Sequence, residues 1–353
     1  MRKSDVATLR LRNHLISHHP LQSPAAVVSW LGAVQAQDYL GGLWAIGARL
    51  PAATEQSVLA AIDAGQIIRT WPMRGTLHFV AADDVRWMLD LLTPRVLGAY
   101  GYRMRYHGIT VDIYAKASKL VGRALAGGVH LTREELYATL ERGGISPAKG
   151  LGLHILGRLA LEQLMCFGPR RGKQHTFVSF DAWVPKGKQL TRDEGLCELS
   201  IRYFQSHGPA QLSDFAWWSG LTMKEVKLAV EHASAKLQHV VIDDATYYLT
   251  SAMLPKEKTE EAFLLPPFDE YVVSYKDRSA VLEAVHAERV NPGANGMLSA
   301  VVVVDGQLVG TWKRSIKKNK VEVIASPFLR FSKKELQLIE HAKKRYASFL
   351  NPS

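Results

Sequence analysis

At 353 residues and 47% apolar content, the chain is long enough to bury more than one core and too apolar to be disordered or fibrous. Lys and Arg outnumber Asp and Glu by 44 to 33, a formal charge of +11 that favours a polyanionic partner or an acidic membrane surface. No stretch reaches the ~20 apolar residues that span a bilayer, and two cysteines without a CxxC indicate neither a disulfide framework nor a structural zinc site.

The start, MRKSDVATLR, has no apolar run of a signal peptide, so the protein is expected in the cytoplasm and not at a membrane. His14 and His18 have the i, i+4 spacing of metal ligands, but with no HExxH and no third ligand they read as a solvated face. Ser23-Pro24 marks a helix start with Pro at the first helical position, and Val27, Trp30, Leu31 and Val34 follow at helical spacing. Just past this helix come two carboxamides, Gln35 and Gln37. A second helix over about 54–64 is followed by QIIRTWPMRGTLHFV, which reads as a hairpin turning at Met73-Arg74-Gly75-Thr76.

The same grammar returns twice. Thr132-x-x-Glu135 is a capping box, a helix covers roughly 153–163, and LMCFGPRRGKQHTFVSF forms a hairpin with a basic tip. Thr222-x-x-Glu225 opens a third such unit, closed by HVVIDDATYYLT. Short helices followed by a two-stranded hairpin are the grammar of a winged helix. Irregular spacing between the hairpins indicates duplication with insertions, not a fixed-period solenoid. GLGLHILG does not place its glycines as GxGxxG and has no βαβ unit around it, so no dinucleotide site is read there.

Beyond Pro255 the pattern changes. LLPPFDEYVVSY, AVVVVDGQLVGTWKR with an Asp305-Gly306 turn, and KVEVIA read as strands of a small β-domain. Asp269 reads as a turn residue with a side-chain cap. A last helix begins at Ser332 with Glu335 completing a capping box. Residues 310–353 hold eleven Lys and Arg against Glu322, Glu335 and Glu340, so most of the net charge sits at this end. The fold class is α+β: a first winged helix over 1–110, a second over 111–190, a third over 191–255 and a basic β-rich domain over 256–353. Such an array is most economically a nucleic-acid binder.

VQAQ with LWAIGARL, the RTWPMRGTLHFV hairpin, LLPPFDEYVVSYKDR and GTWKR occur in this order over almost the whole chain. Together they resemble the AlkZ-like winged-helix DNA glycosylases, bacterial enzymes that excise bulky alkylated bases and unhook interstrand crosslinks. The resemblance puts that family's catalytic motif, Gln, an aliphatic residue, Gln, on Gln35, Ala36 and Gln37. A related branch carries Asp in place of the second Gln, which this chain does not. The small Ala36 departs from the commoner pattern and is expected to loosen the packing behind the site.

The chemistry is consistent with carboxamides. An N7- or N3-alkylated purine is a cation and needs no protonation to leave. What remains is to hold a water below C1′ and to point dipoles at an oxocarbenium-like sugar, which two carboxamide oxygens do. The competing reading has Gln35 and Gln37 binding backbone at the helix end. The resemblance brings the first hairpin near the site, so Arg69, Arg74 and His78 are candidate contacts to flanking phosphates. Trp312, Lys313, Arg314, Lys317 and Lys318 form a candidate backbone clamp or groove-inserted element. No aromatic pocket is announced beside the glutamines; Trp44 and Trp71 read as core. The expected enzyme is a monomeric, cofactor-free, water-using glycosylase without metal, acting on double-stranded DNA with alkylated bases. A non-catalytic winged-helix regulator is the alternative, and it has no use for paired carboxamides at that place.

Overall fold

The computed structural model describes residues 2–251, 260–317 and 320–350. Its contacts divide the chain into two compact units, one of Met1–Leu59 with Leu196–Ser353 and one of Ala60–Gly195.

The Ala60–Gly195 unit contains two hairpins built alike. Strands Ile67–Met73 and Thr76–Ala81 turn at Arg74 and Gly75, both with positive φ (54° and 75°), the pairing that a two-residue hairpin turn requires. One extra residue sits in the first strand between Thr70 and Met73, and this bulge takes up Pro72, which has no N–H to give to a ladder. The second hairpin, Met165–Arg171 with Gln174–Ser179, is bulged at the equivalent place, around Pro169, and gains a third strand from Leu131–Thr132. Helices Val111–Ala124, Arg133–Arg142 and Leu151–Leu161 precede it, the second opened by the expected Thr132–Glu135 capping box. GLGLHILG lies on the last of these helices. A 22-residue helix, Val85–Tyr106, lies between the first hairpin and these helices. Met104, Tyr114, Val121, Leu136, Ile155 and Phe177 meet in one core.

In the other unit, the third copy of the grammar is realised as helices Leu212–Ser219 and Met223–His232 and a hairpin, Gln238–Ile242 with Ala245–Leu249, turning at Asp243 and Asp244. Four antiparallel strands follow, in the spatial order Lys320–Pro327, Gln307–Lys317, Val301–Val304, Ala262–Leu265, with the Asp305-Gly306 turn as expected. The closing helix Lys333–Leu350 carries its Ser332–Glu335 capping box. Among the described residues no helix is long and apolar enough to cross a membrane.

One expectation needs correction. DEYVV is not a strand: Glu270–Val273 is one helical turn, because the paired Pro266-Pro267 ends the ladder and Asp269 caps the turn by accepting the Tyr271 N–H at 2.9 Å. Val6, Ala7 and Leu11 of the first helix share one core with Phe263, Leu265, Val301 and Val303 of the sheet, so the two ends of the chain fold as one body.

Candidate functional site

The QAQ stretch is the connection between two helices whose ends are fixed locally. Pro24–Leu31 starts with Ser23 Oγ accepting the Ala26 N–H and stops at Gly32, where φ is +76° and a Cβ would stand 3.3 Å from Trp218. Tyr39–Gly47 starts with Asp38 Oδ1 accepting the Gly41 N–H at 3.1 Å. Between these stops the backbone is extended at Val34–Gln35. Gln35 is 7% exposed, Ala36 is fully buried and Gln37 is exposed. The loop is therefore closely backed behind the small Ala36.

Gln35 is held from both sides. Its backbone N–H donates to Glu270 Oε1 at 2.7 Å, and its own Oε1 accepts the Gln37 N–H at 3.1 Å. One carboxamide thus shapes the loop, as the backbone-binding alternative required, while the other is presented at the surface. A carboxamide oxygen has two lone pairs, so this bond does not exhaust Gln35 Oε1.

Glu270 is the residue that the sequence did not reveal. Its side chain is fully buried; Oε2 accepts the indole N–H of Trp218 at 3.0 Å and the Ser274 hydroxyl, and His207 Nε2 lies 3.7 Å away. Beside it Asp269 makes two bonds, 2.9 and 2.8 Å, with the buried guanidinium of Arg49, whose Nε donates to the His14 carbonyl at 2.8 Å. Asp269 is a cap and an ion-pair partner, as its turn reading expected. His14 is corrected from a solvated position: it is buried, its ring is 4.6 Å from that of His207, and its Nε2 is 2.7 Å from the Tyr275 hydroxyl. That hydroxyl donates to the His207 carbonyl at 2.6 Å, so it accepts from His14 and sets the Nε2–H tautomer. Burial chiefly drives His14 well below the ordinary histidine range, with the charges of His207, Arg49 and Arg10 adding to it. His207 is lowered by burial too, against the opposing pull of Glu270. His18 is exposed as expected.

The basic candidates divide. In the C-terminal sheet Lys313 is exposed, and Arg314 is half-buried with its guanidinium donating to the Tyr346 hydroxyl. Trp312, expected as a clamp or groove element, is only 5% exposed and donates its indole N–H to the Leu265 carbonyl at 2.8 Å. Lys317 ends its strand, and Lys318 lies outside the described residues. In the first hairpin Arg74 holds the tip. Arg69 and His78 are turned inward, 5% and 0% exposed. The Arg69 guanidinium lies 4.7 Å over Phe167 and donates to His175 Nε2 at 3.4 Å, while His78 Nδ1 donates to the Thr76 carbonyl at 3.0 Å. These side chains build the hairpin. Burial and then the Arg69 charge lower His175 to about 4. Trp71 is half-buried against the core of its unit, 5.2 Å from Phe167.

A cleft of about 380 Å³ was not anticipated. Asp38, next in the chain to Gln37, is on its wall with Trp44, Pro266, Trp312 and Tyr346. Gln35 and Gln37 are not among its lining residues, and nothing in the sequence announced it. Trp44 and Trp312 come from segments about 270 residues apart and no local pattern links them. Among the described residues no three His, Cys, Asp or Glu side chains gather as metal ligands, and Cys166 and Cys197 are free thiols.

A loop of carboxamides pinned on a buried carboxylate, within helices, hairpins and a basic sheet, is the architecture to which comparison gives a class. Residues 28–349 match the model of the family described as DNA glycosylase AlkZ-like, and the chain belongs to that family. It is 26% identical over 341 residues to the interstrand DNA cross-link repair glycosylase of Streptomyces sahachiroi, covering 90% of this chain and 88% of that one. Its fold is that of the solved Streptomyces sahachiroi DNA glycosylase AlkZ, with a TM-score of 0.81 at 23% identity over 99% of this chain and 96% of the other.

Proposed function

We propose that the protein acts as a monomer on duplex DNA, through three winged helices, and hydrolyses the N-glycosidic bond of cationic N7- or N3-alkylated purines. The observation that carries this reading is the QAQ loop itself: Gln37 is exposed on a backbone whose preceding turn is fixed by Glu270. A cationic purine already has its leaving group. The enzyme has to position water and offer partial negative charge to the sugar, and a carboxamide oxygen on a rigid loop does both. Neutral groups give no help to an undamaged base, so selectivity follows from the same chemistry. Lys313 and Arg314 supply phosphate contacts. The name of the Streptomyces sahachiroi relative, an interstrand cross-link repair glycosylase, supports extending the substrates to crosslinked purines. A regulator without chemistry has no need of a buried carboxylate beneath the motif.

The test is release of free base from a duplex bearing N7-methylguanine. The unmodified protein releases it, and Gln37→Ala slows the single-turnover rate strongly with lesion-DNA affinity nearly intact, since the group acts in the transition state. Equal rates for the two proteins would remove Gln37 from catalysis.

A further inference from the structure

One face of the helix Val85–Tyr106 carries a stripe that the packing of its unit does not use. At 3.6 residues per turn, Arg95, Gly98, Tyr102 and Tyr106 fall within about 80° of one another, and Arg103 and Arg105 lie on the two flanks. Met104, on the opposite side, is the residue of this turn that enters the core. Tyr102 and Tyr106 are 67% and 77% exposed, their rings near-parallel at 24° with centroids 6.5 Å apart. Two tyrosines left in water at helical spacing contribute little burial and present uncovered ring faces.

Their surroundings fit a flat, anionic occupant. A helical side chain lies over the turn that precedes it, so the ground beside the Tyr102 ring belongs to Gly98. A Cβ at Gly98 would meet nothing within 4 Å among the described residues, and one at Gly101 only the Arg105 guanidinium at 3.7 Å. Neither glycine has a positive φ, and glycine in a helix interior is unfavourable against alanine. Packing and backbone geometry thus give no reason for glycine at 98, whereas an open floor beside an exposed ring does. His107 stands edge-on to the Tyr106 ring at 5.2 Å, and the Arg103 guanidinium lies 5.8 Å over the ring of Tyr100, which packs on the core. Residues 91–111 include three arginines and no Asp or Glu, so the charge of this face is positive throughout.

Aromatic faces set between cations hold unpaired nucleotides, base on ring and phosphate on guanidinium. We propose that this stripe binds single-stranded DNA, with bases stacked on Tyr102 and Tyr106 and backbone phosphates on Arg103 and Arg105. From Arg95 to Tyr106 it runs about 16 Å at 1.5 Å per residue, enough for a short run of nucleotides. A duplex keeps its bases stacked on one another and has no free base face to offer, so the stripe selects strand form and not sequence. The inference goes beyond the proposed glycosylase activity, and a binding readout tests it separately from base release.

The experiment measures, by fluorescence anisotropy with the full chain, the affinity for a labelled oligothymidylate and for an undamaged blunt duplex. Tyr102→Ala combined with Tyr106→Ala is expected to weaken oligothymidylate binding about 5- to 100-fold, the order that base–aromatic stacking supplies, and to leave duplex affinity unchanged. Tyr102→Phe with Tyr106→Phe keeps the ring faces and should stay within about twofold of the parent. Arg103→Gln with Arg105→Gln should flatten the dependence of log affinity on log salt by up to about 1.4 units, at about 0.7 per phosphate of a single strand. Gly98→Leu fills the floor while improving helix propensity, so it should melt no lower than the parent and still bind oligothymidylate more weakly. Equal oligothymidylate affinity in the parent and the double alanine variant overturns the stripe, as does failure of the parent to bind the strand. Equal losses on strand and duplex overturn it too, because they describe a general basic face. Full affinity in Gly98→Leu overturns the part given to the open floor.

Discussion

Glu270→Gln is the sharpest probe of how the motif is held. The carboxylate serves two obligatory donors from opposite oxygens, the Gln35 N–H at 2.7 Å and the Trp218 indole N–H at 3.0 Å, with the Ser274 hydroxyl on the second oxygen. Glutamine has the same shape but one oxygen and one NH₂. If its oxygen stays on Gln35, the NH₂ faces the indole N–H; if it flips, the NH₂ faces Gln35. Either way one buried donor loses its acceptor and meets another donor, and only Ser274 can turn to adapt. An orphaned buried donor costs about 1–3 kcal/mol and a bond to a charged group is worth about 1.5–3. The substitution is therefore expected to cost about 2–5 kcal/mol, a large share of the ~5–15 kcal/mol that keeps a domain folded. Displacing a positioned group by ~1 Å costs about a hundredfold in rate, so single-turnover excision should fall about 10- to 100-fold at saturating enzyme, with lesion-DNA affinity nearly unchanged. Urea unfolding and excision are measured on the same preparation. Ser274→Ala, which spares both obligatory donors, should lose about 1 kcal/mol and keep most of the rate. If Glu270→Gln melts earlier yet excises at the parent rate, Glu270 supports the core and does not position the loop.

The other expectations concern neighbouring parts of the molecule. Gln35→Ala removes the acceptor of the Gln37 N–H; excision should drop as in Gln37→Ala or somewhat less, and a variant indistinguishable from the parent would make that bond irrelevant. Replacing Lys313 and Arg314 together by Ala should flatten the dependence of log affinity on log salt by about one to two units, at about 0.9 per phosphate, and an unchanged slope puts DNA elsewhere. His14 and His207 are held neutral by burial, below the unfolded value near 6.5. Their stabilising contribution is complete above that pH and is lost as pH falls, because the unfolded chain then takes up protons that the folded one refuses. Each such histidine adds a slope of up to about 1.4 kcal/mol per pH unit. His19 and His175, lowered to about 4, act in the same direction. Urea unfolding between pH 7.5 and 5.5 should show a shallower slope in His207→Gln than in the parent; equal slopes would mean that His207 is protonated in the fold.

What the sequence made legible was local. Caps at Ser23, Thr132, Thr222 and Ser332 and the turns at Arg74-Gly75 and Asp305-Gly306 are written in adjacent residues, because the φ angles and orphan N–H groups they satisfy lie within four positions. DEYVV failed for the complementary reason: three apolar or β-prone letters favoured a strand, and the decisive fact, a carboxylate at 269 locked by Arg49 from 220 positions away, is tertiary. The helix Val85–Tyr106 has little amphipathic signal and an internal Pro94, so its periodicity announced nothing.

The candidate site divides along the same line. QAQ was visible because its residues are contiguous, whereas the sense of each carboxamide, Gln35 turned back and Gln37 outward, depends on a bond across 235 positions. Position on a hairpin likewise could not tell an outward arginine from Arg69, whose guanidinium is stacked on Phe167. Charge near a motif therefore overstates DNA contact unless burial is known. The converse error hid Asp38 and Glu270: one is a helix cap and the other sits in a run read as strand, so each had a sufficient local explanation. Yet Asp38 joins the wall of a cleft and Glu270 fixes the backbone beneath the motif. A residue that satisfies a local rule can still carry a long-range role, because a cap uses one carboxylate oxygen and a carboxylate has two.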